Sequence, residues 1–316
     1  MRSDQVRLNC GITIPMVGFG TYSYQNDRKT TEEAVHMALK MGYRHFDTAK
    51  IYGSEAALGN ALKEAFDNGS VVDREDVFIT SKLWSADHHD PVSALTNTLK
   101  KLGMEYVDMY LVHWPVKLKP WASYPVPNEE DYEKLDLEST WAAMEKCLDL
   151  GLCRGIGVSN FSSKKIQHLV DFASVPPAIN QVEMHPMWRQ EKLREICEDH
   201  KVHVSAYSPL GGPGNAWGST AVVEHPVIQS IARKHRATPA QVALKWGLSK
   251  GSSVIVKSFN GERMKENKAA FDITLDTVDI KEIDKLEEWK LMRGEFLCNH
   301  TTSPYKSIQQ LWDGEI

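Results

Sequence analysis

The segment VFITSKLWSADHHDPVSALTNTLKKLGMEYVDMYLVHWP, residues 77–115, is the stretch from which the fold can best be predicted. It begins with a short apolar run at 77–83, continues through a stretch of helical periodicity at 91–103, and returns to a second apolar run at 107–113. Short runs rich in Val, Ile and Tyr are typical of buried strands, while Pro at the start and Gly at the end are typical helix limits. The segment therefore predicts a strand–helix–strand unit.

The same alternation continues from residue 16 to residue 271, without a low-complexity linker or a break in composition. The strand candidates are MVGFG (16–20), HFDTA (45–49), VFITSKL (77–83), VDMYLVH (107–113), RGIGVSN (154–160), AINQVEM (178–184), HVSAYSP (203–209) and SVIVKSF (253–259). Eight consecutive units of this kind predict an α/β fold, the (β/α)₈ TIM barrel, and we expect residues 1–316 to form a single domain. We expect an N-terminal β-hairpin at 6–15 that closes the barrel floor, and two extra helices at 225–235 and 279–290.

A doubly wound dinucleotide-binding fold is the alternative architecture. It requires the pattern GxGxxG directly after the first strand, and that pattern is absent. The glycine-rich segment GGPGNAWG (211–218) follows the seventh strand candidate instead and contains Pro213. The barrel is therefore the favoured prediction.

Charge and cysteine content restrict the classes of partner. The net charge of −5 and the lack of any Lys/Arg-rich run argue against nucleic acid, so we expect a small-molecule substrate. The N-terminus lacks the apolar core of a secretory signal, and no apolar stretch is long enough to span a membrane. Five scattered cysteines indicate reduced thiols rather than a disulfide framework. We expect a cytoplasmic monomer.

Four polar residues occur where predicted strands end. Asp47 ends the second strand and Tyr52 follows in its loop, Lys82 lies at the end of the third strand, and His113 closes the fourth. Each residue taken singly has an ordinary structural explanation, such as packing or turn capping. Active sites of TIM barrels lie at the C-terminal ends of the strands, so the shared location of all four predicts a catalytic cluster.

The chemistry of this cluster follows from burial and charge. A lysine in an apolar strand requires a carboxylate or a shifted pKa, and Asp47 is the natural partner of Lys82. A positive charge near Tyr52 would stabilise tyrosinate, so we expect Lys82 to lower the pKa of Tyr52. Tyr52 would then donate a proton near neutral pH.

Six segments together resemble the aldo-keto reductase family, and the resemblance covers essentially the whole chain. They are RHFDTAKIYGSE (44–55), TSKLW (80–84), YLVHWP (110–115), GVSNF (157–161), AYSPLG (206–211) and VKSFNGERMKEN (256–267). Residues 119–141 and 301–316 look most like plant members. The resemblance implies that Tyr52 is the general acid in carbonyl reduction, and that His113 orients the carbonyl. It implies hydride transfer from a nicotinamide and requires no metal.

The resemblance also implies the residues that bind the cofactor and the substrate. The expected cofactor contacts are Gly20, Thr21, Tyr22, Asp47, Ser159, Asn160, Gln181, Tyr207, Ser208, Leu210, Gly211, Lys257, Ser258, Phe259, Asn260, Arg263, Glu266 and Asn267. The expected substrate contacts are Tyr22, Tyr52, Trp84, His113 and Trp114. Lys257 and Arg263 flank the predicted start of a helix, where two cations and free N–H groups suit a 2′-phosphate, so NADPH is the expected cofactor.

Several functional alternatives remain open at this point. We expect the substrate to be a cyclic ketone that resembles a tropane precursor, with a broad reductase of reactive aldehydes as the alternative. A nucleotide-binding, redox-sensing subunit without turnover is a second alternative. A third is a metal-dependent barrel hydrolase that uses Asp47, His113 and His185. The sequence HHD (88–90) is a poor metal site, because adjacent ligands on one loop cannot all face one ion.

Overall fold

Eight parallel strands form a closed barrel in the computed structural model, which describes residues 4–23 and 27–316. Each strand pairs with the next one along the chain, and the last pairs with the first. The barrel strands are β3 (Val17–Gly20), β4 (His45–Asp47), β5 (Phe78–Leu83), β6 (Met109–Val112), β9 (Ile156–Ser159), β10 (Ile179–Glu183), β11 (His203–Tyr207) and β12 (Ser253–Val256). The predicted TIM barrel is confirmed, and each strand lies within its predicted range.

Two small antiparallel pairs accompany the barrel. They are β1 (Gln5–Arg7) with β2 (Thr13–Pro15), and β7 (Lys117–Leu118) with β8 (Tyr132–Glu133). The first pair is the predicted hairpin. Leu8 and Ile14 pack against Phe78 and Met109 from the barrel strands. The hairpin therefore covers the end of the barrel opposite the catalytic rim.

Helices surround the barrel and bury their apolar faces against it. They are α1 (Arg28–Lys40), α2 (Glu55–Asp67), α3 (Pro91–Leu102), α4 (Leu137–Asp149), α5 (Ser163–Phe172), α6 (Glu191–Asp199), α7 (Ala221–Glu224), α8 (Pro226–His235), α9 (Pro239–Ser249), α10 (Gly261–Lys268), α11 (Thr277–Ile283) and α12 (Ile308–Leu311). In α3, Leu95, Leu99 and Leu102 are buried at helical spacing. Among the described residues, no helix is both long enough and apolar enough to cross a membrane.

One predicted helix boundary is wrong. The extra helix expected at 225–235 is α8, but the one expected at 279–290 begins at Thr277 and ends at Ile283. Beyond it, main-chain N–H groups have partners elsewhere in the fold: Trp289 donates to the carbonyl of Met187 at 2.6 Å. These long-range bonds replace helical ones, so the segment leaves the helix earlier than its periodicity indicates.

We predict that stability declines in mild acid because of His45, a fully buried residue on β4. Its ring nitrogens lie 3.2 Å from the carbonyl oxygen of Pro15 and 3.2 Å from the hydroxyl of Thr80. Burial lowers the pKa of His45 from 6.5 to about 4. The unfolded chain therefore binds a proton at a pH where the folded chain does not, so the free energy of unfolding falls as pH drops below about 6.5. We expect His45 alone to cost roughly 2 kcal/mol by pH 5.

Urea denaturation between pH 7 and pH 5 measures this effect. We expect His45→Gln to reduce the pH slope even if its stability at pH 7 is lower. The exposed His168 on α5 provides a matched control, and His168→Gln should keep the slope of the original chain. An unchanged slope in His45→Gln would contradict the assignment.

Candidate active site

A cavity of about 1040 Å³ opens at the C-terminal ends of the barrel strands. Its lining includes Asp47 and Tyr52 and also Lys257 and Arg263, which follow β12. The expected cofactor residues that line it are Gly20, Tyr22, Asp47, Ser159, Asn160, Gln181, Tyr207, Ser208, Leu210, Lys257, Ser258, Phe259, Asn260, Arg263, Glu266 and Asn267. The cavity is thus a long channel with different chemistry at its two ends.

Two of the expected cofactor residues, Thr21 and Gly211, are not among the residues that line the cavity. The buried Thr21 hydroxyl donates to the carbonyl of Asp47 at 2.9 Å and lies 2.7 Å from the Ser54 hydroxyl. Gly211 has a φ of +80°, and a Cβ there would lie 3.0 Å from the carbonyl oxygen of Ser219. Both residues shape the loops behind the cavity wall.

A buried ion pair lies at the floor of the cavity. Lys82 Nζ is 2.6 Å from Asp47 Oδ1 and also donates to the carbonyl of Thr48 at 3.0 Å. The second oxygen of Asp47 accepts a hydrogen bond of 2.8 Å from Gln181 Nε2. Burial lowers the pKa of Lys82, and the Asp47 carboxylate opposes that shift. The pair joins the ends of β4, β5 and β10.

Tyr52 and His113 are adjacent to this ion pair. Tyr52 ends a short 3₁₀ turn that stops at Gly53, whose φ of 66° is favourable for glycine. The ammonium of Lys82 lies 4.7 Å from the centre of the Tyr52 ring, and the rings of Tyr52 and His113 are 5.7 Å apart. The structure therefore brings together the four residues expected to be catalytic.

The expected direction of the Tyr52 pKa shift is wrong. Burial raises the pKa of Tyr52 well above 10, and the Asp47 carboxylate and the neighbouring Tyr22 and Tyr124 add to the rise. The positive charge of Lys82 is largely compensated by Asp47 at 2.6 Å, so little net charge remains to favour tyrosinate. The Tyr52 hydroxyl is protonated at neutral pH.

His113 has the opposite shift. Burial lowers the pKa of His113 well below 6.5, and the Lys82 charge lowers it further. Its Nδ1 atom is buried without a hydrogen-bond partner among the described residues. The ring is therefore neutral at physiological pH and can donate or accept a hydrogen bond without carrying charge.

Polar groups at the ends of β9 and β11 connect His113 to the cavity wall. Asn160 has a φ of 62°, and its Nδ2 donates to the carbonyl of His113 at 3.0 Å. Its Oδ1 accepts a bond of 2.7 Å from the hydroxyl of Tyr207. Ser159 donates to the carbonyl of Gln181 at 2.7 Å. This network presents amide and aromatic groups next to the proton-transfer cluster.

The opposite end of the cavity is positively charged. Burial lowers the pKa of Lys257, and the charge of Arg263 lowers it further. The ammonium of Lys257 lies 4.5 Å from the centre of the Phe259 ring. Asn260 caps α10 by accepting a bond of 3.0 Å from the main-chain N–H of Arg263. Two cations at a helix N-terminus suit a phosphate group.

Aromatic side chains form the wall above Tyr52. Trp84 and Trp114 line the cavity as expected, and the Trp84 ring is 5.6 Å from His113. Lining residues that sequence analysis did not name include Ile51, Tyr124, Pro125, Val126, Trp217, Met292 and Phe296. Most of these lie in loops and in the C-terminal tail, where no periodicity shows which side chains face inward. The sequence signal that could have identified these residues is their apolar character.

The residues proposed for a metal-dependent hydrolase have other partners. His185 Nε2 is 2.9 Å from Glu183, and Asp47 is paired with Lys82. In the HHD segment, His89 is 2.8 Å from Glu133, and Asp90 caps α3. Within the described residues, no three His, Cys, Asp or Glu side chains are grouped so that they could hold a metal ion.

A family model and named reductases that match this chain identify an oxidoreductase that acts on carbonyl or alcohol groups. A model of the Aldo/keto reductase family matches residues 16–288, and the chain belongs to this family. Members of the family use NAD(P)H.

Similar relatives place the chain in the plant branch of the family. It is 47% identical over 306 residues to a (1S)-1,7-diacetoxy-luvungin A aldo-keto reductase of Citrus sinensis, covering 96% of this chain and 95% of the relative. Identity to a 7-acetyl-epi-neemfruitin B aldo-keto reductase of Melia azedarach is 46%, covering 97% and 95%. Identity to a deoxymugineic acid synthase of Zea mays is 45%, covering 98% of both chains.

We predict that removing one charge of the buried Lys82–Asp47 pair destabilises the protein strongly, whereas removing both does not. Asp47→Asn leaves a buried ammonium without a charged partner, so we expect the free energy of unfolding to fall by about 3–5 kcal/mol. Asp47→Asn combined with Lys82→Met removes both charges and should recover most of that loss. Urea denaturation at pH 7 measures both variants.

The exposed pair of Lys50 and Asp87 has the same separation of 2.6 Å and serves as a control. We expect Asp87→Asn to cost less than about 1 kcal/mol. Equal losses for Asp47→Asn and Asp87→Asn would contradict the prediction.

Proposed function

We propose that this protein reduces a ketone or aldehyde to the alcohol with NADPH, and that Tyr52 donates the proton. One observation carries the proposal: Tyr52, His113 and the Lys82–Asp47 pair meet at the floor of a channel whose other end is cationic. Bound NADPH supplies the hydride. All other steps below belong to residues of this chain.

Tyr52 holds a proton on its hydroxyl at neutral pH, because burial raises its pKa. As the substrate oxygen gains negative charge, Tyr52 donates that proton to it. The Lys82–Asp47 pair lies beside Tyr52, with the ammonium 4.7 Å from the ring centre. The neutral His113 ring orients the carbonyl oxygen by a hydrogen bond.

The cofactor residues divide between the two ends of the channel. At the catalytic end, Ser159, Asn160 and Gln181 offer polar groups to the carboxamide, and Tyr207 offers its ring to the nicotinamide. Ser208 and Leu210 line the middle of the channel, where the pyrophosphate would lie. The remaining lining residues from Lys257 to Asn267 would hold the adenosine end.

The cationic end supports NADPH over NADH as the cofactor. A 2′-phosphate carries negative charge that the ribose hydroxyl of NADH lacks. Lys257 and Arg263 would contact this group by charge-assisted hydrogen bonds, and the N-terminus of α10 adds a favourable dipole. The choice between the two cofactors therefore depends on this end of the channel.

The substrate wall supports a bulky, apolar carbonyl compound in plant specialised metabolism. Trp84, Trp114, Tyr124 and Phe296 present aromatic surface above Tyr52. A cyclic, tropane-like ketone is our specific candidate, because residues 119–141 and 301–316 resemble those of methylecgonone reductase. The Citrus and Melia relatives are named for (1S)-1,7-diacetoxy-luvungin A and 7-acetyl-epi-neemfruitin B.

A broad reductase of reactive aldehydes is the second candidate, and a redox-sensing subunit that binds nucleotide without turnover is the third. The complete catalytic cluster favours turnover over sensing. We further propose that the protein is a cytoplasmic monomer. All five cysteines lie in the described part of the chain and are free thiols, which supports a reducing compartment.

Initial rates of NADPH oxidation across aliphatic aldehydes, aromatic aldehydes and bicyclic amino-ketones test the proposed function. We expect turnover, with the highest kcat/KM for bicyclic ketones. Higher values for small aldehydes would favour the broad reductase instead. Tight NADPH binding without turnover of any carbonyl would favour the sensing subunit.

We predict that Tyr52→Phe abolishes reduction and leaves NADPH binding nearly intact, because it removes the proton donor and little volume. We expect kcat to fall by at least about 100-fold, measured as NADPH oxidation at saturating substrate. Tyr106→Phe is the matched control, since Tyr106 lies between the guanidinium groups of Arg74 and Arg154, outside the cavity lining. Substantial turnover by Tyr52→Phe would refute Tyr52 as the acid.

We also predict that Lys257→Met and Arg263→Met each weaken NADPH binding by about tenfold, because each removes a cation that would contact the 2′-phosphate. NADH binding should change by less than about twofold. Titration of the protein's tryptophan fluorescence gives both Kd values. Lys265→Met, on the same helix but outside the channel lining, should change neither. Equal losses for both cofactors would contradict a phosphate-binding role.

A further inference from the structure

Glu183 is a fully buried carboxylate that the proposed proton transfer does not use. It is the last residue of β10 and lies in register with Tyr207 at the end of β11. Gln181, two residues earlier and so on the same face of the strand, donates to Asp47. Glu183 therefore lies on the face of β10 that carries the catalytic cluster, nearer the rim.

Both oxygens of Glu183 accept hydrogen bonds from distant parts of the chain. The main-chain N–H of Leu291 donates to Oε1 at 2.8 Å, and that of Met292 donates to Oε2 at 2.6 Å. His185 Nε2 lies 2.9 Å from Oε1. Burial alone would raise the pKa of Glu183, but the bond with His185 and the charge of Lys290 hold it below its ordinary value. The carboxylate is thus ionised and fully engaged.

The segment held by Glu183 forms part of the substrate wall. Residues 287–294 have neither helix nor strand to satisfy their main-chain N–H groups. Glu183 supplies the acceptors for two of these groups, and the side chain of Met292 lines the cavity. Phe296, which follows in a short 3₁₀ turn, lines the cavity too. A change in the position of this main chain would move the wall.

Lys290 adds a second attachment beside Glu183. Its ammonium is buried, has no hydrogen-bond partner among the described residues, and lies 3.5 Å from the centre of the Trp312 ring. Trp312 in turn donates to the carbonyl of Arg293 at 2.8 Å and packs 6.0 Å from Trp114. The charge of Glu183 favours the ammonium at this position.

We propose that Glu183 is a positioning residue that sets the substrate-facing wall by holding the main chain of residues 291 and 292. It touches neither substrate nor cofactor in this role. The effect on selectivity rests on the proposed reductase function, whereas the attachment itself does not. Glu183 therefore controls which carbonyl compounds fit. It acts through Leu291 and Met292, which lie 108 and 109 positions further along the chain.

Glu183→Gln tests the proposal because it keeps the shape of the side chain but turns one acceptor into an NH₂ group that faces a main-chain N–H. We expect KM for a bicyclic ketone to rise by about tenfold while kcat changes by less than about twofold. For a small aliphatic aldehyde, which depends less on the wall, kcat/KM should stay within about threefold. Steady-state kinetics at saturating NADPH give these values.

Glu288→Gln is the matched control from the same segment. Glu288 accepts a bond of 2.6 Å from the main-chain N–H of Arg189 and does not line the cavity. We expect its selectivity to equal that of the original chain. If Glu183→Gln kept the original selectivity, or lost both substrates to the same degree, the proposal would be overturned.

Amide hydrogen exchange separates this proposal from the proposed function. We expect the amides of Leu291 and Met292 to exchange at least about tenfold faster in Glu183→Gln. If the protein reduces no carbonyl compound, the reductase proposal fails. Faster amide exchange in Glu183→Gln would still support the attachment of residues 291 and 292 to Glu183. Unchanged exchange would overturn that attachment. If Glu183→Gln does not fold, Glu183→Asp, which keeps the charge and shortens the reach, decides between the same outcomes.

Discussion

The buried ion pair of Lys82 and Asp47 is the interaction on which the catalytic rim depends. An ammonium within the closed barrel is tolerated because a carboxylate lies 2.6 Å away. The same carboxylate accepts from Gln181, and the same ammonium donates to the carbonyl of Thr48. The pair thereby joins three strand ends, and Tyr52 enters the cavity five residues after Asp47. Loss of either charge disturbs the whole floor.

The pair also explains the electrostatics of Tyr52. Because Lys82 and Asp47 nearly cancel, Tyr52 lies in a buried, weakly charged environment, and its pKa rises rather than falls. A phenol with a high pKa keeps its proton until a stronger base develops in front of it. Such a base is the alkoxide oxygen that forms when a carbonyl accepts hydride. Burial and the Lys82 charge lower the pKa of His113, which keeps its ring neutral.

The floor and the upper wall of the cavity are built from different parts of the chain. Residues at barrel strand ends form the polar floor, and their positions follow from the barrel itself. The upper wall comes from Tyr124 in a long loop and from Met292 and Phe296 near the C-terminus. Plant relatives of 45–47% identity carry names that refer to different substrates. A floor positioned by the barrel, with a wall that is held separately, allows one chemistry to act on different carbonyl compounds.

The sequence by itself determined the eight strands, the barrel, the hairpin and the four rim residues, because strand periodicity is local and the barrel gathers all strand ends at one rim. Only the tertiary structure decided that Thr21 supports a loop behind the wall. It also decided that the helix expected at 279–290 ends at Ile283, since the segment after it bonds to Glu183 more than a hundred residues earlier. The direction of the Tyr52 pKa shift depended in the same way on burial and on charges brought together by folding, which no local pattern records.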